Sequence, residues 1–257
     1  MRADLQNSLR NYLLAMADDE LVLGHRNSEW CGHAPILEED IAFANIALDE
    51  IGHASIWYAL LAELIGEDID KYPDQLVFFR DWQDFRNAQL VELPRGDWAY
   101  SMLRQYLFDT LENKRLNMLV DSEYEPIAEA SAKIRSEEIY HHRHTCAWVK
   151  RLGLGTDESN RRLQTALDGI WPLTHQLFDP VEEGKPLISA NYVPAARDVE
   201  EQWVQEVVPF LEGCELSIPV SSRQKEARIY RNLHSEHLRV LVTEMQSVAR
   251  LDPEARW

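Results

Sequence analysis

Glycine is scarce in this chain: 10 of 257 residues, with Asp168-Gly169 the one Asn-Gly or Asp-Gly pair. So few hairpin signals argue against a sheet-rich fold. Cysteine is scarcer still. Cys31, Cys146 and Cys214 are too few and too scattered for a disulfide framework, and no Cys-x-x-Cys pair is present to seat zinc. A reducing, cytoplasmic setting is expected. No apolar run of about 18 residues occurs, which argues against a membrane span. The first twenty residues carry charges throughout, so they resemble neither a signal peptide nor a transit peptide. Positive charge is also short, with 26 basic against 44 acidic residues and a formal charge of −18. Such a balance repels phosphate backbones and anionic lipid, so no nucleic-acid or membrane partner is expected.

The chain is rich in apolar residues at helical spacing. It is 45% hydrophobic, enough for a sizeable core, and one domain over residues 1–257 is expected. The periodicity predicts an all-α fold: a four-helix bundle over about 5–155 with a long crossover, and additional C-terminal helices over 156–257. A first helix is expected over about 5–27, with Leu9, Leu13, Met16, Glu20 and Leu23 along one side. The second runs to about Ile65, with Pro35 in its first turn and Gly66 as its stop. Residues 67–96, with Pro73 and Pro94, suit a crossover. A third helix is predicted over 97–120 and a fourth over 126–152, and after punctuation at Pro172, Pro180, Pro186, Pro194, Pro209 and Pro219 a final helix spans about 223–251.

Two Glu-x-x-His pairs lie in the predicted helices, Glu50/His53 and Glu138/His141. Side chains at i and i+3 share a helix face, so each pair can grip one ion. Glu20 lies 30 residues before Glu50, and Glu112 lies 26 residues before Glu138. Roughly 15 residues up one helix and 15 down the next return to the same height in a hairpin. The order Glu20, Glu50/His53, crossover, Glu112, Glu138/His141 is therefore the arrangement that a carboxylate-bridged di-iron bundle requires. Four carboxylates and two imidazoles suit two Fe(II) or Mn(II) ions with open positions for dioxygen. Asp49 and Asp109 are candidates for holding the imidazoles. Solvated helix faces are the plain alternative for any one of these residues, but aligned burial of four carboxylates without cations or protons would cost several kcal/mol each.

Other groups read more plainly. The Trp30-Cys31-Gly32-His33 loop suits a packed helix connection, Cys146 a small core residue, and His234-Ser235-Glu236-His237 packing or an interface between subunits. His142 and His144 are not expected to be ligands, because the helical period turns them off the His141 face.

The segments LVLGHRNSEWCGHAPILEEDIAFANIALDEIGHA, LRQYLFDT, SEEIYHHRH, WVKRLGLGTDES and LHSEHLRVLVTEMQ resemble the PaaC-type subunit of the bacterial multicomponent phenylacetyl-CoA ring epoxidase. That resemblance spans essentially the whole chain and implies a ferritin-like bundle acting in aerobic phenylacetate breakdown. In such a complex the di-iron centre belongs to a PaaA-type catalytic subunit, which binds the aromatic acyl-CoA and inserts oxygen into its ring. The PaaC-type subunit is its structural partner, and a separate flavin and iron-sulfur reductase delivers electrons from NADPH. Structural PaaC-type subunits typically look as if they have lost the metal ligands, whereas this chain keeps all six, and its Asp49-Glu50-Ile51-Gly52-His53 resembles the Asp-Glu-x-Gly-His run of the catalytic subunit. Two readings follow: an oligomeric epoxidase-type subunit with its own two-iron site, or a metal-free partner that stabilises the catalytic subunit.

Overall fold

The computed structural model describes residues 2–178, 184–219 and 231–253. Two helical hairpins form its centre. The first joins α1 (Ala3–Ser28) to α2 (Leu37–Ile65). A crossover then carries α3 (Tyr72–Phe79), a 3₁₀ turn at Trp82–Asp84 and α4 (Gln89–Glu92). The second hairpin joins α5 (Trp98–Leu119) to α6 (Glu125–Gly153), and α6 also meets α2. Beyond it come α7 (Asp157–Ile170), a 3₁₀ stretch at Trp171–Phe178, α8 (Lys185–Ser189), α9 (Ala196–Gly213) and α10 (Glu236–Gln246). No strand occurs among the described residues, and none of their helices is long and apolar enough to cross a membrane.

The long helices end where their sequences say they must. Asp97 caps α5 by accepting from the Tyr100 amide at 2.9 Å, satisfying an amide that the first turn leaves without a partner. Gly66 stops α2 in the left-handed conformation at φ 79°, which a side chain rarely adopts. Two helix starts need correcting. Pro35 is not in the first turn of α2, which begins at Leu37. The Asp40 carboxylate accepts the Gly32 amide at 2.8 and 2.9 Å and holds the connection folded over the helix end. The final helix is also shorter than expected. Residues 223–230 of that prediction, and Pro180, lie outside the described residues, and α10 starts only at Glu236. His234 and Ser235 keep the preceding chain extended by binding Glu92, at 2.6 Å to His234 Nδ1 and 2.7 Å from the Ser235 amide.

α1 and α5 differ from α2 and α6 in what surrounds them. Every residue from Leu13 to Gly24 is buried, as is every residue from Ser101 to Glu112. A helix buried all round is a core helix, not a surface one. The crossover and the C-terminal helices make it so: Trp203 of α9 donates to the Leu107 carbonyl at 2.9 Å, and Arg80 reaches Asp18 at 2.6 Å. One continuous apolar cluster runs from Leu9 and Leu61 through Leu107 to Leu163, Trp203 and Leu238. Pro209, expected as punctuation, lies inside α9.

α1 and α2 approach closely at Gly24. A Cβ there would stand 2.9 Å from Ile51 Cγ1, 3.0 Å from the Ala47 carbonyl and 3.1 Å from Glu50 Cβ. Gly24→Ala is therefore expected to cost about 1–3 kcal/mol by overpacking. A thermal melt should show Tm lower by roughly 3–8 °C at this chain length.

Candidate metal centre

Asp18, Asp19 and Glu20 are three consecutive acids of α1, each fully buried. On a helix, consecutive side chains point about 100° apart, so each meets a different neighbour. Asp18 takes Arg80 and the Arg86 amide, both at 2.6 Å, and the Tyr58 hydroxyl. Asp19 takes the Ala88 amide at 2.7 Å and Arg231 at 2.8 Å. Glu20 faces inward, and neither of its oxygens has a hydrogen-bond partner. The first two acids hold the fold together, whereas the third is left with capacity to bind.

Glu20 meets Glu50, His53 and Glu138, one ligand atom of each lying within 4.8 Å of all the others. His53 Nδ1 stands 3.9 Å from Glu20 Oε2, 3.9 Å from Glu50 Oε2 and 3.4 Å from Glu138 Oε1. His141 lies beside this group, its Nδ1 3.1 Å from Glu138 Oε1 and 3.8 Å from Glu50 Oε1. Glu112 is fully buried but is ion-paired with Arg115, its i+3 neighbour. The structure thus brings five of the six expected residues together and turns the sixth toward a guanidinium.

The outer nitrogens of the imidazoles are held by a crossed pair of carboxylates. His141 Nε2 is 3.1 Å from Asp49 Oδ2, and His53 Nε2 is 2.7 Å from Glu137 Oε2. The acid just before each ligand glutamate therefore grips the histidine of the opposite helix. Such partners fix ring orientation and leave the other nitrogen, here Nδ1, facing the centre. Asp49 is where the sequence suggested. Asp109, the other candidate, touches no imidazole; it accepts from Gln105 at 2.6 Å and Thr145 at 2.7 Å. Glu137 and Gln105 escaped the sequence reading. Gln105 donates to Glu50 Oε1 at 2.6 Å and is itself held by Asn27 at 2.7 Å. The acid preceding each Glu-x-x-His was the available signal for Glu137; nothing in the spacing marked Gln105.

The remaining histidines and cysteines do other work. His142 packs between Tyr106 and Cys146 and pairs with Glu206 at 3.1 Å. His234 spans Glu92 and the Phe85 carbonyl, a packing role. Trp30 donates to Ser101 at 2.8 Å within a buried aromatic group with Phe43 and Trp98.

Burial governs the charge state. It pushes Glu20 up to about 8, Glu138 up to about 7 and Asp109 up to about 7, and raises Glu50 well above the carboxylate range, with neighbouring acids adding to the effect for all four. Burial alone would lower His141, but Glu138 and Asp49 outweigh it and hold the imidazole well above its ordinary value. Without cations the centre therefore keeps protons. A donor set of hard oxygens and imidazole nitrogen, with both Glu20 oxygens, Glu50 Oε2, Glu138 Oε2 and His53 Nδ1 buried and unpartnered, fits a metal ion.

A bundle of two helical hairpins around a buried carboxylate–histidine group is a ferritin-like fold with a centre that could hold metal. The chain belongs to the phenylacetic acid catabolic protein family, whose model matches residues 1–257. It is 37% identical over 251 residues to the C component of the 1,2-phenylacetyl-CoA epoxidase of Escherichia coli strain K12, a match covering 98% of this chain and 100% of that one.

Proposed function

We propose that the chain is a subunit of a phenylacetyl-CoA epoxidase-type monooxygenase complex and carries a two-iron centre of its own. The observation that carries the second half is the set of unpartnered buried ligand atoms on Glu20, Glu50, His53 and Glu138, a donor set that a metal ion would satisfy. The whole-length likeness to a component of that epoxidase supports the first half. Glu20, Glu50, His53 and Glu138 would hold one ion. His141 with Glu112, once turned from Arg115, would hold the second. Iron there supplies a site that binds and reduces dioxygen, using electrons that originate from NADPH in a separate reductase. Gln105 fixes one Glu50 oxygen, Asp49 and Glu137 fix the rings, and the surrounding apolar helices keep bulk water out.

The proposed neighbour in the complex is a PaaA-type catalytic subunit. α2 exposes Leu37, Ile41 and Leu48, whose spacing of four and seven residues puts them on one face, and α6 exposes Ile139 and Tyr140. Exposed apolar patches of this kind mark interaction surfaces. Leu48→Asp is expected to weaken association with the PaaA-type subunit at least tenfold without changing Tm by more than a degree or two, read by calorimetric titration and thermal melting. Unchanged affinity would remove this face from the interface. The function itself is tested by reconstituting the chain with that subunit and the reductase and following NADPH-dependent loss of phenylacetyl-CoA. A complex equally active without this chain overturns the reading.

A further inference from the structure

A cavity of about 80 Å³ lies between α1, α5 and the C-terminal elements. Its walls are largely apolar, with Leu111, Phe178 and Val193 among them, yet Tyr12, Arg115 and Arg231 also line it. Both guanidiniums are more than nine-tenths buried, at 7% and 8% exposure. Their outer nitrogens are engaged: Arg115 Nη2 faces Glu112, and Arg231 Nη1 binds Asp19 at 2.8 Å and the Arg86 carbonyl at 3.1 Å. The Nε–H of each has no hydrogen-bond partner. Tyr12 feels both cations, which oppose the upward push of burial on its hydroxyl. An apolar cavity needs no donors, and buried donors seldom go unsatisfied. Two buried N–H groups without partners and a phenol, on three residues that line one apolar space, are what a bound acceptor with an apolar tail would satisfy.

We propose that this cavity binds a short aliphatic carboxylate. Its oxygens accept from Arg115 Nε, Arg231 Nε and the Tyr12 hydroxyl, and its chain lies against Leu111, Phe178 and Val193. The volume sets the size: a cavity of roughly 150 Å³ takes benzene with its six carbons, so about half that space suits a tail of about three carbons. The site shares no residue with the ligand set of the metal centre, and the inference does not depend on the epoxidase reading.

Calorimetric titration of the full chain at pH 7 with butyrate, butyramide and acetate tests it. Butyrate is expected to bind saturably. Butyramide, which lacks the charge that strengthens such hydrogen bonds, should bind at least tenfold more weakly. Acetate, short of two methylenes worth about 0.8 kcal/mol each, should also lose about tenfold. Arg115→Gln should weaken butyrate tenfold or more, and Tyr12→Phe, at a half-buried position away from the ion pairs, about threefold to tenfold. Val193→Phe fills the space without touching a polar group and should abolish binding while the helical circular dichroism is kept; should that variant fail to fold, Tyr12→Phe still decides. The proposal is overturned if butyrate gives no saturable heat, if butyramide binds as tightly, or if neither Tyr12→Phe nor a folded Val193→Phe changes the affinity.

Discussion

Replacing Glu50 and His53 together by alanine is expected to take bound metal from two ions per chain to none in protein produced under iron-replete conditions. Both residues lie one turn apart on α2, and their ligand atoms belong to the same tight group. Removing them leaves only Glu20 and Glu138 of that group, and takes away the Glu50 carboxylate that lies beside both His53 and His141. Even the loss of a single supporting partner outside a metal's own ligands typically costs 10–100-fold in affinity, so losing two ligands should cost far more. Metal analysis with anomalous X-ray scattering provides the readout. Two peaks roughly 3.5–4 Å apart in wild type and none in the variant support the two-iron reading. One peak in wild type would mean that Glu112 stays with Arg115, and Arg115→Gln should then raise the count. No metal in wild type would sink the reading and leave the chain a metal-free partner of the catalytic subunit.

The second large effect is on stability against pH in the metal-free protein. Glu20, Glu138 and Asp109 hold their protons up to about 8, 7 and 7, and Glu50 and His141 are displaced in the same direction. In the unfolded chain the carboxyls ionise near pH 4. Between roughly pH 4.5 and 8 the folded state therefore binds more protons than the unfolded one, and stability falls as pH rises. The raised histidine gives the same sign from about pH 6.5 upward: its contribution is fully present below that value and is lost as pH climbs through the folded one. Several carboxyls acting together make a drop of several kcal/mol between pH 5 and pH 8. Melting the metal-free chain across that range should show Tm falling steadily. Metal displaces those protons and neutralises the oxygens, so added Fe(II) or Mn(II) should raise Tm more at pH 8 than at pH 5.5. In Glu20→Gln the slope should flatten, because the replaced group no longer titrates. A Tm that rose with pH over the window would mean the acids are ionised and already compensated in the fold.

Both predictions rest on residues with very different legibility. Two of the helix ends were readable because they depend on local chemistry: Asp97 before an apolar-periodic run, and Gly66 after one. Glu20 could be picked from the acids of α1 by its place on the Leu13, Met16 and Leu23 side and by its distance to Glu50. That Asp18 and Asp19 are equally buried, and are taken by Arg80 and Arg231, was not legible there. Arg115, three residues after Glu112, gave no warning that it would take that carboxylate, since i,i+3 pairing is as common on a solvated face.

The sequence by itself determined the four long helices and the order of the candidate ligand residues, because periodicity, caps and spacing are properties of neighbouring residues and of chain length; the family was legible in segments spread along the whole chain. Only the tertiary structure decided that α1 and α5 are buried all round, that Glu137 of α6 holds His53 of α2 while Asp49 of α2 holds His141 of α6, and that Glu112 faces Arg115. The first two depend on which helices come to lie side by side; His53 and Glu137 are 84 residues apart. The last depends on which of two nearby charges a buried carboxylate finds when no cation competes for it.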